Sequence, residues 1–170
     1  MTTAWTRTHV EAVANREVAQ LPKLAATEVV RPRSELYYWD MWPVQDRDGN
    51  IAHIAGREFW MILTAPDNGD PSGRHFNAKI HLLERKDAKW VDLGPLLPDF
   101  GGPYEREWSG SSIWDQGKYV LWFTGAGLEA SPGGYQQALF ETTANTDSSG
   151  LPIEWSSPQP ILTDLTPDYI

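Results

Sequence analysis

Short runs of β-favouring residues, separated by clusters of turn-forming residues, recur along most of this 170-residue chain. The strongest runs are residues 58–64 and 119–124, in which aromatic and β-branched side chains dominate. The first run is apolar enough to predict a strand that is covered on both faces. Turn clusters rich in Asp, Asn and Gly, such as residues 46–50, divide one run from the next. Residues 66–73 are predicted to be a loop, and residues 143–160 a long polar connection. No regular helical pattern lies between them, so the sequence predicts an all-β antiparallel fold of sandwich, barrel or propeller type. About seven or eight strands would fit two four-stranded propeller blades as well as one sandwich.

The N-terminal part of the chain has a different pattern. Thr8 and Glu11 have the spacing of a capping box, and apolar residues follow at helical intervals. This predicts a short N-terminal helix that ends near residues 18–21, after which two prolines indicate an extended connection. We therefore divide the chain into residues 1–36, a helix with its connection, and residues 37–170, a β domain.

Composition excludes several classes of function. The formal net charge is −9 at pH 7, which argues against a nucleic-acid ligand because such binding depends on clustered Lys and Arg. There is no cysteine, so a disulfide framework, a thiolate metal site and a Cys nucleophile are all excluded. No apolar run approaches transmembrane length, and the first residues lack the pattern of a classical secretory signal. We expect no membrane partner, and the compartment stays open.

One carboxylate stands among large aromatic side chains in residues 37–46. Asp40 follows two tyrosines and Trp39, and it precedes Trp42 and Pro43. The chain has nine tryptophans, more than a core of this size requires. Because sugars stack their apolar faces on aromatic rings while fixed polar groups bind their hydroxyls, this cluster suggests carbohydrate chemistry. The alternative is a buried Asp40 that caps a turn before the proline.

Two other polar patterns are better explained by structure than by a metal. Residues 46–50 superficially resemble a calcium loop, but the glycine comes too early and Arg57 stands where a bidentate Glu is needed. A hairpin turn is the better prediction. His75 and His81 have no third ligand at a recognisable spacing, so we predict surface or packing roles for both. The sequence predicts no metal site and no cofactor.

Four short motifs, in this order, carry a resemblance to a known family. They are Trp5-Thr6-Arg7, Trp39-Asp40-Met41-Trp42-Pro43, Asp46-Arg47-Asp48-Gly49 and Glu107-Trp108-Ser109-Gly110. Together they resemble the glycoside hydrolase family of levansucrases, inulosucrases and bacterial β-fructofuranosidases. The resemblance implies a five-bladed β-propeller with the active site in its central funnel, of which this chain would form the N-terminal part, about two blades.

The resemblance also implies roles for individual residues. Asp40 matches the nucleophile that attacks the fructosyl unit of sucrose to give a covalent fructosyl-enzyme. Trp39 and Trp108 match the aromatic walls of the fructosyl subsite, and Ser109 matches the hydroxyl that hydrogen-bonds the nucleophile. A hydroxyl donor of this kind favours the charged carboxylate, which apolar walls alone would disfavour.

The chain departs from the family in one respect. The acid/base Glu and the transition-state-stabilising Asp, which lies in an Arg-Asp-Pro motif, have no match here, and no Arg-Asp-Pro occurs in these residues. Glu107 is better explained as a residue with a structural hydrogen bond. We therefore expect the partners to be sucrose, fructosyl acceptors and a second polypeptide that carries the remaining blades, and we expect this chain alone to be inactive. The family acts mostly outside the cell.

Two alternatives remain at this stage. The first is a non-catalytic carbohydrate-binding β domain, for which many tryptophans and an acidic surface would be equally natural. Such a domain would tolerate Asp40→Asn, whereas a nucleophile would not. The second is a truncated remnant without activity, which would aggregate through its unpaired sheet edges.

Overall fold

Ten β-strands dominate the part of the chain that the structure, a computed structural model, describes: residues 6–14, 30–128 and 133–162. In chain order they are β1 Leu36–Gln45, β2 His53–Ile54, β3 Arg57–Pro66, β4 Lys79–Lys86, β5 Lys89–Pro95, β6 Tyr104–Asp115, β7 Lys118–Leu128, β8 Gln137–Thr146, β9 Pro152–Ile153 and β10 Gln159–Leu162. The prediction of an all-β fold is confirmed.

The strands form two antiparallel meanders that join at their first strands. The first meander has the order β1-β3-β4-β5 and the second β6-β7-β8-β10, while the short β2 and β9 add to β3 and β8. The junction is a short parallel pairing, in which Val44 faces Ser112 and Gln45 faces Ile113. Two four-stranded meanders that meet through parallel first strands are the arrangement expected of two neighbouring propeller blades.

Each blade has its own buried strand at the centre of the core. In β3 every residue from Met61 to Ala65 is buried, as predicted for a strand covered on both faces. In β7, Tyr119, Leu121 and Phe123 alternate with less buried neighbours and are fully buried. Burying side chains of this size contributes about 1.5–3 kcal/mol each, so the two central strands account for much of the stability of the fold.

Hairpin turns with the same hydrogen-bond pattern, organised by one Asp carboxylate, connect strands in both blades. The Asp46 amide donates to the carbonyl of Asn50 at 2.8 Å, and the Asp46 carboxylate accepts from the amides of Asp48 and Asn50. Asp147 repeats this arrangement and accepts from the amide of Ser149 at 2.8 Å. The hairpin predicted at residues 46–50 is confirmed.

The stretch from residue 143 to residue 160, predicted as a long polar connection, is more ordered than expected. β8 continues to Thr146, β9 follows the Asp147 turn, and β10 begins at Gln159 and pairs with Glu141 of β8. The prediction was wrong because Pro160 and many polar residues mask an edge strand, a position where proline is tolerated.

A seven-residue 3₁₀ helix, Pro71–Asn77, occupies a stretch whose first part was predicted as loop. It begins where the Asp70 carboxylate accepts from the Ser72 amide at 2.9 Å, with proline in the first turn. This helix lies between β3 and β4 in the chain and supplies several residues of the site described below.

The N-terminal helix, α1, spans Arg7–Ala14 in the described residues. Its cap is Thr6 and not Thr8: the Thr6 hydroxyl accepts from the His9 amide at 3.4 Å, and the Thr6 amide donates to His9 Nδ1 at 3.2 Å. The predicted box at Thr8 is wrong because its partner carboxylate is bound by an arginine on the same helix. The predicted helix end and most of the connection lie at residues 15–29, outside the described part of the chain. No helix within the described residues is long and apolar enough to cross a membrane.

A buried polar network fixes the start of β1 against the outer strands of its blade. His81 Nδ1 lies 2.9 Å from Asp92 Oδ1, and the Tyr38 hydroxyl donates to Asp92 Oδ2 at 2.7 Å. Burial alone would raise the pKa of Asp92, but the hydrogen bonds from His81, Tyr38 and the Gly94 amide outweigh it and hold that pKa below its ordinary value. His81 therefore has the packing role that was predicted for it.

We expect Asp92→Asn to lower the free energy of unfolding at pH 7, by an amount that shrinks in acid. A carboxyl whose pKa is lower in the folded state stabilises the fold above its unfolded pKa, about 3.9, and this contribution is lost as the pH falls through the folded value. Urea unfolding of both proteins between pH 7 and pH 3 measures the difference. A difference that stays constant over that range would contradict the assignment.

Candidate active site

Each blade carries a β-bulge at the same point of its first strand, directly after a tryptophan. In β1, Trp39 pairs with Leu63 and Met41 pairs with Ile62, which leaves Asp40 unpaired. Asp40 has a φ of 50°, in the left-handed region that Asp adopts more readily than most residues. A β-bulge changes the direction of the side chain at the extra residue. The Asp40 side chain therefore does not follow the alternation of side chains between the two faces of β1.

The bulge in β6 places Ser109 in the equivalent position. Trp108 pairs with Thr124 and Gly110 pairs with Phe123, so Ser109 is the unpaired residue. A Cβ on Gly110 would overlap the carbonyl oxygen of Trp122 and lie 2.8 Å from the Cα of Phe123. Only glycine fits there, which explains why this bulge needs a glycine directly after the serine.

The two bulges face one pocket. Trp39, Asp40, Trp108 and Ser109 all line a cavity of about 280 Å³. The structure thus brings together all four of the site residues predicted from the sequence. Asp40 and Ser109 are exposed to solvent and the two tryptophans are half-buried. The remaining lining residues are Leu63, Ser72, His75, Phe76 and Tyr135.

His75 lies between the two tryptophan walls. Its ring centroid is 5.7 Å from that of Trp39 and 6.2 Å from that of Trp108, with edge-on geometry in both pairs. Its carbonyl oxygen accepts a hydrogen bond from Trp108 Nε1 at 3.2 Å, and the guanidinium of Arg74 lies 5.3 Å from the Trp39 ring. The 3₁₀ helix therefore sets the separation of the walls. From the sequence, only a surface or packing role was predicted for His75, because the one available signal was the Asp-Pro-Ser start of that helix.

Glu107 holds the Trp108–Ser109 segment against the neighbouring blade. It is 3% exposed, and its carboxylate accepts from Lys79 Nζ at 3.0 Å and from the Ile80 amide at 2.8 Å. Its own amide donates to the carbonyl of Ala78 at 3.1 Å. Burial raises the pKa of Glu107, although Lys79 and the amide act in the opposite direction. The predicted structural hydrogen bond is confirmed, and Glu107 does not line the pocket.

The chemistry available in the pocket is that of one carboxylate beside aromatic walls. Among the described residues that line it, Asp40 is the only acidic one. Within the described residues, Asp40 and Ser109 share the pocket without a hydrogen bond between them, so the predicted bond stays a prediction for the complete site. No group of three His, Asp or Glu side chains suited to a metal ion occurs in the described part of the chain.

The fold and the pocket define the chain as part of a β-propeller with an aromatic-walled site beside its first strands. Solved structures share this architecture. An inulosucrase from Halalkalicoccus jeotgali, solved with bound kestose, is 29% identical and superposes with a TM-score of 0.67 over 79% of this chain and 34% of its own. Levansucrase from Bacillus subtilis, at 22% identity, shares the fold with a TM-score of 0.70 over 90% of this chain and 38% of its own. The predicted partial five-bladed propeller is confirmed.

The chain belongs to the levansucrase/invertase family, whose sequence profile matches residues 1–155. It is 32% identical to the extracellular sucrase of Zymomonas mobilis over 110 residues, which are 64% of this chain and 27% of that protein. It is 23% identical to the levansucrase of Rahnella aquatilis over 141 residues, covering 72% of this chain and 34% of that protein. The chain thus spans about a third of the length of these relatives. The resemblance drawn from the motifs is confirmed.

Proposed function

We propose that this chain supplies the nucleophile side of the active site in a sucrose-cleaving fructosyltransferase or β-fructofuranosidase. One observation carries the proposal: Asp40 shares a single pocket with Trp39, Trp108 and Ser109, although the two pairs belong to different blades. Membership of the levansucrase/invertase family supports a sucrose-related activity.

The proposed reaction is a retaining double displacement. The Asp40 carboxylate attacks the anomeric carbon of the fructosyl unit, the bond from that carbon to the glycosidic oxygen breaks, and glucose leaves with a proton from a general acid. Water or an acceptor hydroxyl then attacks the same carbon, releases Asp40 and returns its proton to the acid/base group. Trp39 and Trp108 stack on the sugar, and the Ser109 hydroxyl donates to the Asp40 carboxylate and orients it.

The acid/base Glu and the stabilising Asp come, in this proposal, from blades outside these 170 residues. A retaining site needs a second carboxyl about 5–5.5 Å from the nucleophile, and Asp40 is the only acidic residue in the described lining of the pocket. Glu107 is unsuited to that role because Lys79 and Ile80 already bind its carboxylate. We propose that these remaining blades also cover the open sheet edges of the two blades described here.

The proposed substrates are sucrose and fructosyl acceptors, and the proposed site of action is outside the cell. The proposed substrates are supported by the family and by a pocket lining that combines aromatic rings with one carboxylate. The proposed site of action is supported by the related protein of Zymomonas mobilis, whose name describes an extracellular sucrase.

The experiment that tests this function is purification from the native source, with intact mass, size-exclusion chromatography and a sucrose assay on each fraction. We expect sucrose cleavage only in fractions in which these residues occur together with the remaining blades. The chain purified alone is the control and should be inactive. A chain that elutes alone, folded and monodisperse, with no sucrose cleavage in any fraction would contradict the proposal and favour a carbohydrate-binding domain.

A further inference from the structure

Two aromatic rings stand exposed at the rim of the pocket and have no part in the proposed reaction. Phe76, the second-to-last residue of the 3₁₀ helix, is 45% exposed. Tyr135, which precedes β8, is 62% exposed. Their ring centroids are 5.6 Å apart with the planes tilted by 59°. Both line the same cavity as Asp40. We call Phe76 and Tyr135 the rim pair.

The rim pair is held in place by a buried arginine. Arg106 is 3% exposed, its guanidinium lies 5.4 Å from the Phe76 ring, and its Nη2 donates to the carbonyl oxygen of Gly134. On the same side, the Glu105 carboxylate accepts from the Gly133 amide at 2.8 Å. The backbone leading to the rim tyrosine is therefore fixed to β6, and one cation contacts both the Phe76 ring and the residue before Tyr135. Because a buried arginine makes these contacts, the rim pair is a positioned surface and not a chance contact between loop side chains.

The rim pair differs from the walls of the inner pocket in exposure. Trp39, Trp108 and His75 are half-buried and contact one another through the edge-on ring pairs described above. Phe76 and Tyr135 present ring surface to solvent at the mouth of the same cavity. Exposed aromatic rings beside a cavity are suited to stacking on the apolar face of a sugar, because this buries ring surface that is otherwise hydrated.

We infer that the rim pair binds the hexose joined to the fructosyl unit, which in sucrose is the glucosyl residue. This inference rests on the proposed function, in which the fructosyl unit fills the inner pocket beside Asp40. A sugar linked to that unit extends toward the mouth of the cavity, where Tyr135 and Phe76 provide its stacking surface. The rim pair is thus a specificity determinant that favours a disaccharide over free fructose.

The test compares the affinities of fructose and sucrose by calorimetry on the purified protein together with any polypeptide that co-elutes. Every variant carries Asp40→Asn so that sucrose stays intact. We expect Tyr135→Ala to weaken sucrose binding by about twofold to tenfold and to leave fructose binding unchanged. Tyr135→Phe, which keeps the ring, should bind sucrose as tightly as the parent. Tyr135 is exposed, so neither change threatens the fold.

The outcomes separate this inference from the function on which it rests. If both sugars bind but Tyr135→Ala leaves their affinity ratio unchanged, the assignment of the rim pair is overturned and the fructosyl pocket stands. Equal weakening of fructose and sucrose also overturns it, because the ring would then belong to the inner subsite. If neither sugar binds the parent, the fructosyl pocket itself is wrong and both proposals fail.

Discussion

Asp40→Asn is expected to lower the rate of sucrose cleavage on the order of 10,000-fold and to leave the fold and sugar binding intact. Asparagine cannot form the covalent fructosyl-enzyme, and loss of a nucleophile has effects of about this size in other enzymes. The substitution suits this position because Asn, like Asp, tolerates the left-handed backbone that Asp40 adopts at φ 50°. The measurement is sucrose turnover by the complex that contains the remaining blades, with calorimetry for binding.

Asp48→Asn provides a matched control for this prediction. It makes the same chemical change at an exposed residue of the 46–50 hairpin, outside the pocket. We expect unchanged turnover in that variant. If the Asp40→Asn complex kept turnover within about tenfold of the parent, Asp40 would not be the nucleophile.

Gly110→Ala is expected to destabilise the fold by about 3 kcal/mol or more and to displace Ser109 and Trp108. The added methyl group would overlap the Trp122 carbonyl oxygen and crowd the Cα of Phe123, both of which are backbone atoms of the paired strand. Side chains can rotate away from an added methyl group, but a paired backbone can move only by breaking hydrogen bonds between the strands. The loss of folding free energy is therefore expected at the upper end of the range measured for overpacked cores. Urea unfolding followed by tryptophan fluorescence measures the change.

Gly102→Ala is the control for the effect of the methyl group itself. Gly102 also lacks a left-handed φ, and its added Cβ would meet only the Tyr104 ring, at 3.6 Å or more. We expect a change smaller than about 1 kcal/mol, in the stabilising direction, because alanine restricts the unfolded chain. Equal effects of the two substitutions would mean that the close approach at Gly110 does not constrain the bulge.

Local patterns in the sequence were sufficient for most strands and for the choice of the candidate site residues. The runs around Trp60 and Leu121 are dominated by aromatic, β-branched and other apolar residues, so each run indicates a strand without reference to its neighbours. The Asp46 turn is decided within five residues by hydrogen bonds of one carboxylate. Trp39-Asp40 and Trp108-Ser109 are contiguous motifs, and recognition of such motifs needs no knowledge of the fold.

Elements that depend on a partner far along the chain were missed or misplaced. β10 has only four residues, one of them Pro160, and it is a strand because the edge of β8 is available for pairing. The helix Pro71–Asn77 has turn-like composition, and its His75 gains a role only because Trp39 and Trp108 lie on either side of it. In both cases the deciding partner, the edge of β8 or the two tryptophans, lies outside the segment, so the sequence of the segment does not reveal it.

By itself, the sequence determined that this protein is built from β-strands, that it carries the motifs of the levansucrase/invertase family, and that Asp40, Trp39, Trp108 and Ser109 are its candidate site residues. Only the tertiary structure decided that these residues share one pocket, that Glu107 ties one blade to the other, and that the rim pair stands at the mouth. The reason is physical: a bulge is set by the register of a strand against its neighbour, and a pocket by two blades that meet through long-range pairing.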